Sequence, residues 1–372
     1  GRAAPRPHRA MLAALQEKRA SLKPVVQEDP RVRPKTDAGG RPILAEDLDE
    51  EAQQRIRKEF FAAGLECWLH LLGERSFATA SLPLSRDACA ALARAPGGDA
   101  NAFDGAALER QVDAELARLG WDQAFVKLST RSPKDSPRIL EKATAEFHAQ
   151  GGPELALNER ARLFAELVQR NFCVASGREA VALLTSSERV REDLDYALEA
   201  PNYEELGLHI VLRRWDGPIP IANEFRGIVW GGQLNALGQY YHPLLFPEML
   251  SRRAEIEADL RATYEELRPA LGGAGFAHCI VDFAWMGPGQ VKVIELNPFD
   301  GLALGCFPGS TGLFRWDDER DRDIIQNGPF EMRLRTEALK EHELKFRLNV
   351  SWRDVICPPA AGTKSGRSSS AA

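Results

Sequence analysis

The chain has 372 residues, of which 44% are apolar and 27% charged, and it carries a net charge of −6. That length can bury one large core or two modest ones, and the composition is that of an ordinary soluble globular protein. The acidic balance argues against a nucleic-acid binder, and no apolar run approaches the roughly 18 residues of a membrane span, so neither nucleic acid nor membrane is expected as a partner. Six cysteines are scattered with no C-x-x-C pair. They are expected to be reduced thiols in a cytoplasmic protein, and they offer no zinc site. The seven histidines form no H-x-x-E-H pattern.

Residues 1–50 are rich in Pro, Arg and Asp and show little periodicity. They are expected to be a mostly disordered arm with a short helix near 10–22. Arg2, Arg6, Arg9 and Arg19, with no acid before Glu17, give the arm a faint likeness to an organelle transit peptide. The spacing of Ile56, Phe60, Leu65, Trp68 and Leu72 predicts a helix over 47–72 with one core face. Helices follow at 85–94, stopped by Pro96-Gly97-Gly98, and at 107–119. Next come a strand at 124–128, a helical stretch at 154–168, a strand at 172–174, and helices at 177–184 and 190–198. Strands are predicted at 207–215, 224–230 and 233–239, then a helix at 247–271. Residues 358–372 are expected to be a disordered tail, Gly/Ser/Ala-rich from 362 on. No internal repeat is visible.

The chemistry concentrates in two places. Cys279-Ile-Val-Asp-Phe283 and Val291-Lys-Val-Ile-Glu-Leu-Asn-Pro-Phe299 read as strands joined by the turn residues Met286–Gln290. Glu295 and Asn297, two apart, share one strand face, and a hairpin sets Asp282 beside them. Two carboxylates and an amide oxygen are hard ligands, suited to Mg²⁺ that keeps waters and bridges substrate phosphates. The plainer alternative is ordinary polar residues at strand ends. In the second place, Phe125-Val-Lys-Leu-Ser-Thr-Arg-Ser-Pro-Lys-Asp135, a lysine in an apolar strand is followed by a basic, polar loop. Lys127 and Lys134 are point charges suited to phosphate, and Ser129, Thr130 and Ser132 offer hydroxyl and backbone donors. Taken alone, Lys127 reads equally well as a strand lysine facing water. Arg213 is similarly ambiguous, and Glu224 and Arg226 could form a plain ion pair. P-loop, dinucleotide-binding and protein-kinase motifs are missing from the sequence.

At these residues the chain resembles the cell division cycle protein 123 family. The match is carried by the 125–135 block, Ser187-Glu-Arg-Val-Arg-Glu-Asp-Leu194, Ile210-Val-Leu-Arg-Arg-Trp215, Glu224-Phe-Arg226, Gln239-Tyr240, Val281-Asp-Phe283 and Ile294-Glu-Leu-Asn-Pro-Phe299. These blocks keep the family's order over roughly residues 80–316. The resemblance implies an α+β, ATP-grasp-like fold over 51–350. A helical part at 51–120 would precede two α+β subdomains at 121–350, with the nucleotide between them. It implies that Lys127, Ser129, Thr130, Arg131, Ser132 and Lys134 hold the phosphates of ATP. Val211, Leu212 and Arg213 would line the adenine end, Arg226 would face the nucleotide, and Asp282, Glu295 and Asn297 would bind Mg²⁺. It further implies an assembly chaperone for eukaryotic translation initiation factor 2, engaging its gamma subunit. The alternative is an ATP-grasp enzyme, a carboxylate–amine ligase or phosphotransferase of unknown acceptor, in which Arg213, Arg226 and Arg315 could stabilise a transferring phosphoryl group. Three departures mark a divergent branch. Glu295 stands where the family usually has Asp, the segment 239–247 differs, and a Gly-rich stretch at 300–311 precedes Leu313-Phe-Arg-Trp316. That stretch suits a mobile lid or acceptor loop, or else a surface loop.

Overall fold

A computed structural model describes residues 61, 64–94, 105–298, 312–315, 318–348 and 350–358. The expected N-terminal arm, most of the expected 47–72 helix before Leu65, the 300–311 stretch, Trp316 and the tail lie outside the described residues. Two sheets dominate. The first has four antiparallel strands: β1 (Thr79–Pro83), β2 (Ala124–Leu128), β3 (Cys173–Val174) and β4 (His209–Arg214), in the order β1-β4-β2-β3. The second has β5 (Glu224–Trp230), β6 (Gln233–Gln239), β7 (Cys279–Gly287), β8 (Gln290–Pro298) and β9 (Glu331–Arg333), in the order β8-β7-β5-β6-β9. Only β9 pairs in parallel. The fold is α+β, as the sequence led us to expect.

Helices cover the first sheet on its Val126/Leu128 side, both residues being fully buried. The helix Ala106–Leu119 buries Leu108, Val112 and Leu116, one residue per turn, and stops at Gly120 in the left-handed conformation. On the second sheet, Phe225, Val229, Val281, Phe283 and Val293 belong to the main core together with Ile256, Leu260 and Leu267 of the helix Arg253–Gly273. The opposite face carries a smaller cluster of Ile228, Trp230, Ala236, Ile280, Phe314, Ile324 and Ile325.

Several expectations are corrected. The 247–271 helix is two, Pro247–Leu250 and Arg253–Gly273. A helix at Pro137–Ala149 was missed, although Pro at its start and Ile139, Ala143 and Phe147 at four-residue steps are its signature. Strand β1 was missed too. It is a half-exposed edge strand of small residues ending in Pro83, so it has neither a buried face nor alternation to reveal it.

Gly227, in the middle of β5, has no room for a side chain. A Cβ there would lie 2.7 Å from Leu234 Cδ1 and 3.0 Å from Phe283 Cε2. Gly227→Ala is expected to cost about 1–3 kcal/mol of stability through overpacking, read as a lower urea midpoint. An unchanged midpoint would show that Leu234 moves aside freely.

Candidate functional site

Strand alternation sets up the site. Phe125 and Lys127 leave β2 on the face away from Val126, and their cross-strand partners on β4 are Arg213 and Val211. Leu212 lies on the other face, packed in the core. On the second sheet, Arg226 of β5 is paired with Asp282 of β7, and Asp282 with Glu295 of β8, so three charged residues form a row across three strands. A register shift follows Asp282. Asn297 is one step along β8 from Glu295 on the same side, opposite Ile280.

The two rows meet. Lys127, only 3% exposed, forms an ion pair with Glu295 that ties the sheets together. Arg226 grips Asp282 with two parallel hydrogen bonds, both 2.8 Å, and its guanidinium lies 4.8 Å from the centre of the Tyr240 ring. Lys134 donates to Tyr240 Oη at 3.1 Å. Glu224 and Arg226 are not partners, which corrects the ion pair suggested by the sequence. Glu224 is buried and accepts from Gln169 Nε2.

Arg213 is different. It is 6% exposed and lies over Phe77 at 5.6 Å, yet its Nε and Nη2 are buried without a hydrogen-bond partner. Burial draws this group down to about 10, so it stays protonated at neutral pH. Burial would raise Glu295, but Lys127, Lys134 and Arg213 together hold its carboxyl at about 2. Burial pushes Glu224 up to about 7, partly opposed by Lys134 and by the Gln169 hydrogen bond. Four basic side chains (Lys127, Lys134, Arg213, Arg226) thus face three carboxyls (Glu224, Asp282, Glu295), of which burial raises Glu224 toward neutral pH.

A cavity of about 1140 Å³ opens beside this cluster. Arg213, Lys134, Glu224 and Tyr240 are among its charged and polar lining residues, and Phe77, Phe125 and Ile294 among its apolar ones, whereas Lys127, Arg226, Asp282, Glu295 and Asn297 do not line it. Its lining continues through Trp215–Ile219 after β4. Sequence reasoning did not single out Phe77, Gln169, Glu224 and Tyr241 as lining residues; of the expected Val211, Leu212 and Arg213, only Arg213 lines this cavity. Of the loop residues, Ser129 Oγ accepts from His209 N at 3.2 Å. The side chains of Thr130 and Arg131 turn to Asp193 on the helix Glu188–Leu198. Ser132 is buried.

Among the described residues no group of three His, Cys, Asp or Glu is placed to hold a metal ion. The donor set in question is smaller: two cross-strand carboxylates, Asp282 and Glu295, with the amide of Asn297 beside them. Oxygen donors of this kind fit Mg²⁺, which takes one or two carboxylates and completes its shell with water and phosphate. They do not fit Zn²⁺, which favours nitrogen and sulfur.

A family model described as D123 matches residues 166–353, just over half of the chain. The chain belongs to the D123 family. The D123 match takes in Arg213, Glu224, Arg226, Asp282, Glu295 and Asn297 but begins after Lys127 and its loop. The structure of Cdc123 from Schizosaccharomyces pombe aligns with a TM-score of 0.52 at 18% identity, covering 75% of this chain and 97% of that one. A C-terminally truncated Cdc123 from the same organism aligns at 0.54 and 17%, covering 76% and 98%. At that identity the likeness establishes a shared fold. No curated protein matches the sequence.

Proposed function

We propose that this D123 family member binds Mg²⁺-ATP between its two sheets and acts in the cytoplasm as an assembly chaperone for eukaryotic translation initiation factor 2, engaging its gamma subunit. The observation that carries the nucleotide part is Arg213. A buried guanidinium with two unpartnered nitrogens is costly, and an anion in the adjoining cavity would satisfy it. Lys127 and Lys134 supply the remaining positive charge for a triphosphate. The apolar wall of Phe77, Phe125 and Ile294 offers a base flat surfaces to pack on. Asp282, Glu295 and Asn297 would hold Mg²⁺, which when bound bridges phosphate oxygens and neutralises their charge. Lys127, Lys134 and Arg213 would bind and orient the phosphates, and this charge on the phosphate side favours a binding role. The partner is supported by the sequence resemblance and by family membership.

Calorimetry with Mg²⁺-ATP tests the first part. Binding supported by Mg²⁺ or Mn²⁺ and not by Zn²⁺ is the expected outcome, with negligible ADP release by the protein alone. Capture of the factor's gamma subunit by the tagged full chain tests the second. Rapid ADP formation with a small amine and carboxylate pair would instead show a ligase.

A further inference from the structure

We infer that Asp193 is a positioning residue that fixes the 129–134 loop for the phosphates of the bound nucleotide, acting through Thr130 and Arg131. The inference rests on the nucleotide reading above. Asp193 lies in the middle of the helix Glu188–Leu198 and is 2% exposed, a burial that an acid rarely accepts without partners. Its partners are both on the loop. Thr130 Oγ1 donates to Asp193 Oδ2 at 2.6 Å, and Arg131 Nη2 lies 3.0 Å from Asp193 Oδ1. Arg131 also reaches Glu192 at 3.4 Å.

The same helix pins the far end of the loop. Ser187, its N-cap, donates from Oγ to Asp135 Oδ1 at 2.5 Å and accepts from Val190 N. Arg189 N donates to Asp135 Oδ2 at 3.0 Å. Residues 130, 131 and 135 are therefore all tied to one rigid element, on both sides of Lys134. Lys134 is the loop cation that lines the cavity. Thr130 and Arg131 face the helix, so their polar groups hold the loop and leave Lys134 to meet the ligand. A loop freed from the helix would have to be ordered again on binding, at roughly 1–2 kcal/mol per backbone residue. The block Ser187–Leu194, conspicuous in the sequence, thereby gains a role.

The test is calorimetry of the full chain with Mg²⁺-ATP and with adenosine, for wild type, Asp193→Asn, Thr130→Val and the double variant. Asp193→Asn should weaken Mg²⁺-ATP about tenfold, or about 1.4 kcal/mol, and change adenosine less than twofold. Thr130→Val, at a partly exposed position, should show the same selectivity at smaller size. The double variant should lose little beyond Asp193→Asn, because Thr130 acts through its contact with Asp193. Equal losses for the two ligands would mark Asp193 as merely structural and overturn the inference, as would wild-type Mg²⁺-ATP affinity in Asp193→Asn. If Asp193→Asn does not fold, Thr130→Val alone decides by its ratio of ATP to adenosine loss. A wild-type chain that binds adenosine and Mg²⁺-ATP equally weakly would overturn the nucleotide reading itself, and this inference with it.

Discussion

Asp282→Ala is expected to destabilise the protein by about 3 kcal/mol, read as a fall in the free energy of urea unfolding. The carboxylate is 3% exposed and takes two hydrogen bonds from the Arg226 guanidinium, which itself lies over the Tyr240 ring and is 18% exposed. Removing one member of a buried pair leaves the other charge in a poor solvent, and such truncations cost about 3–5 kcal/mol. The lower end applies because Glu295 also attracts Arg226. Replacing both residues with apolar ones of similar size, as in Arg226→Met with Asp282→Leu, should recover most of the loss. A loss under about 1 kcal/mol for the single variant would mean that Arg226 reaches water readily. The stability effect also bears on any metal test at this position. Asp282→Ala conflates lost ligation with a disturbed sheet, whereas Asp282→Asn keeps one oxygen acceptor and the shape.

The site was only half legible in the sequence, and the division has physical causes. A two-residue spacing on a strand states a shared face, so Glu295 and Asn297 could be put together by counting, as could Phe125 and Lys127. Pairing across strands is harder. The hairpin turn did set Asp282 beside Glu295, as observed, but the register shift just after Asp282 was not legible, because bulges leave no mark in composition. The partner of Arg226 was hidden, because the nearest opposite charge along the chain was the wrong one. Glu224 sits two residues from Arg226 on the same face and yet bonds Gln169, 55 residues away. The cavity wall behind β4 was missed because Trp215–Ile219 is neither helix nor strand and carries no periodicity. Several amphipathic helices were read from their stripes, but the helix Pro137–Ala149, the short edge strand β1 and the break after Leu250 were not.

Glu224 should make stability fall with rising pH in a window where most carboxyls are silent. Its folded value of about 7 lies above the usual carboxyl value of 4.5, the cause being burial. A group raised in the folded state stabilises fully below its unfolded value, and this contribution is lost as pH rises through the folded one. Wild type should therefore lose about 2–3 kcal/mol relative to Glu224→Gln between pH 5 and pH 8. The comparison must be a difference, because His242 works in the opposite sense. Burial draws His242 down to about 4, so its contribution is present above 6.5 and fades as pH falls toward 4. Glu295, held at about 2, adds stability above 4.5 that is lost only in strong acid, so it is flat across the window. Glutamine preserves the acceptor for Gln169 and cannot ionise, so subtracting its urea unfolding curve at each pH removes His242 and every other group from the comparison. A difference that stays constant from pH 5 to pH 8 would show that Glu224 ionises as an ordinary carboxyl. A difference that closes as predicted would show that the cavity wall holds a carboxyl able to gain or lose its charge near neutral pH, one bond from Gln169 and within the field of Lys134.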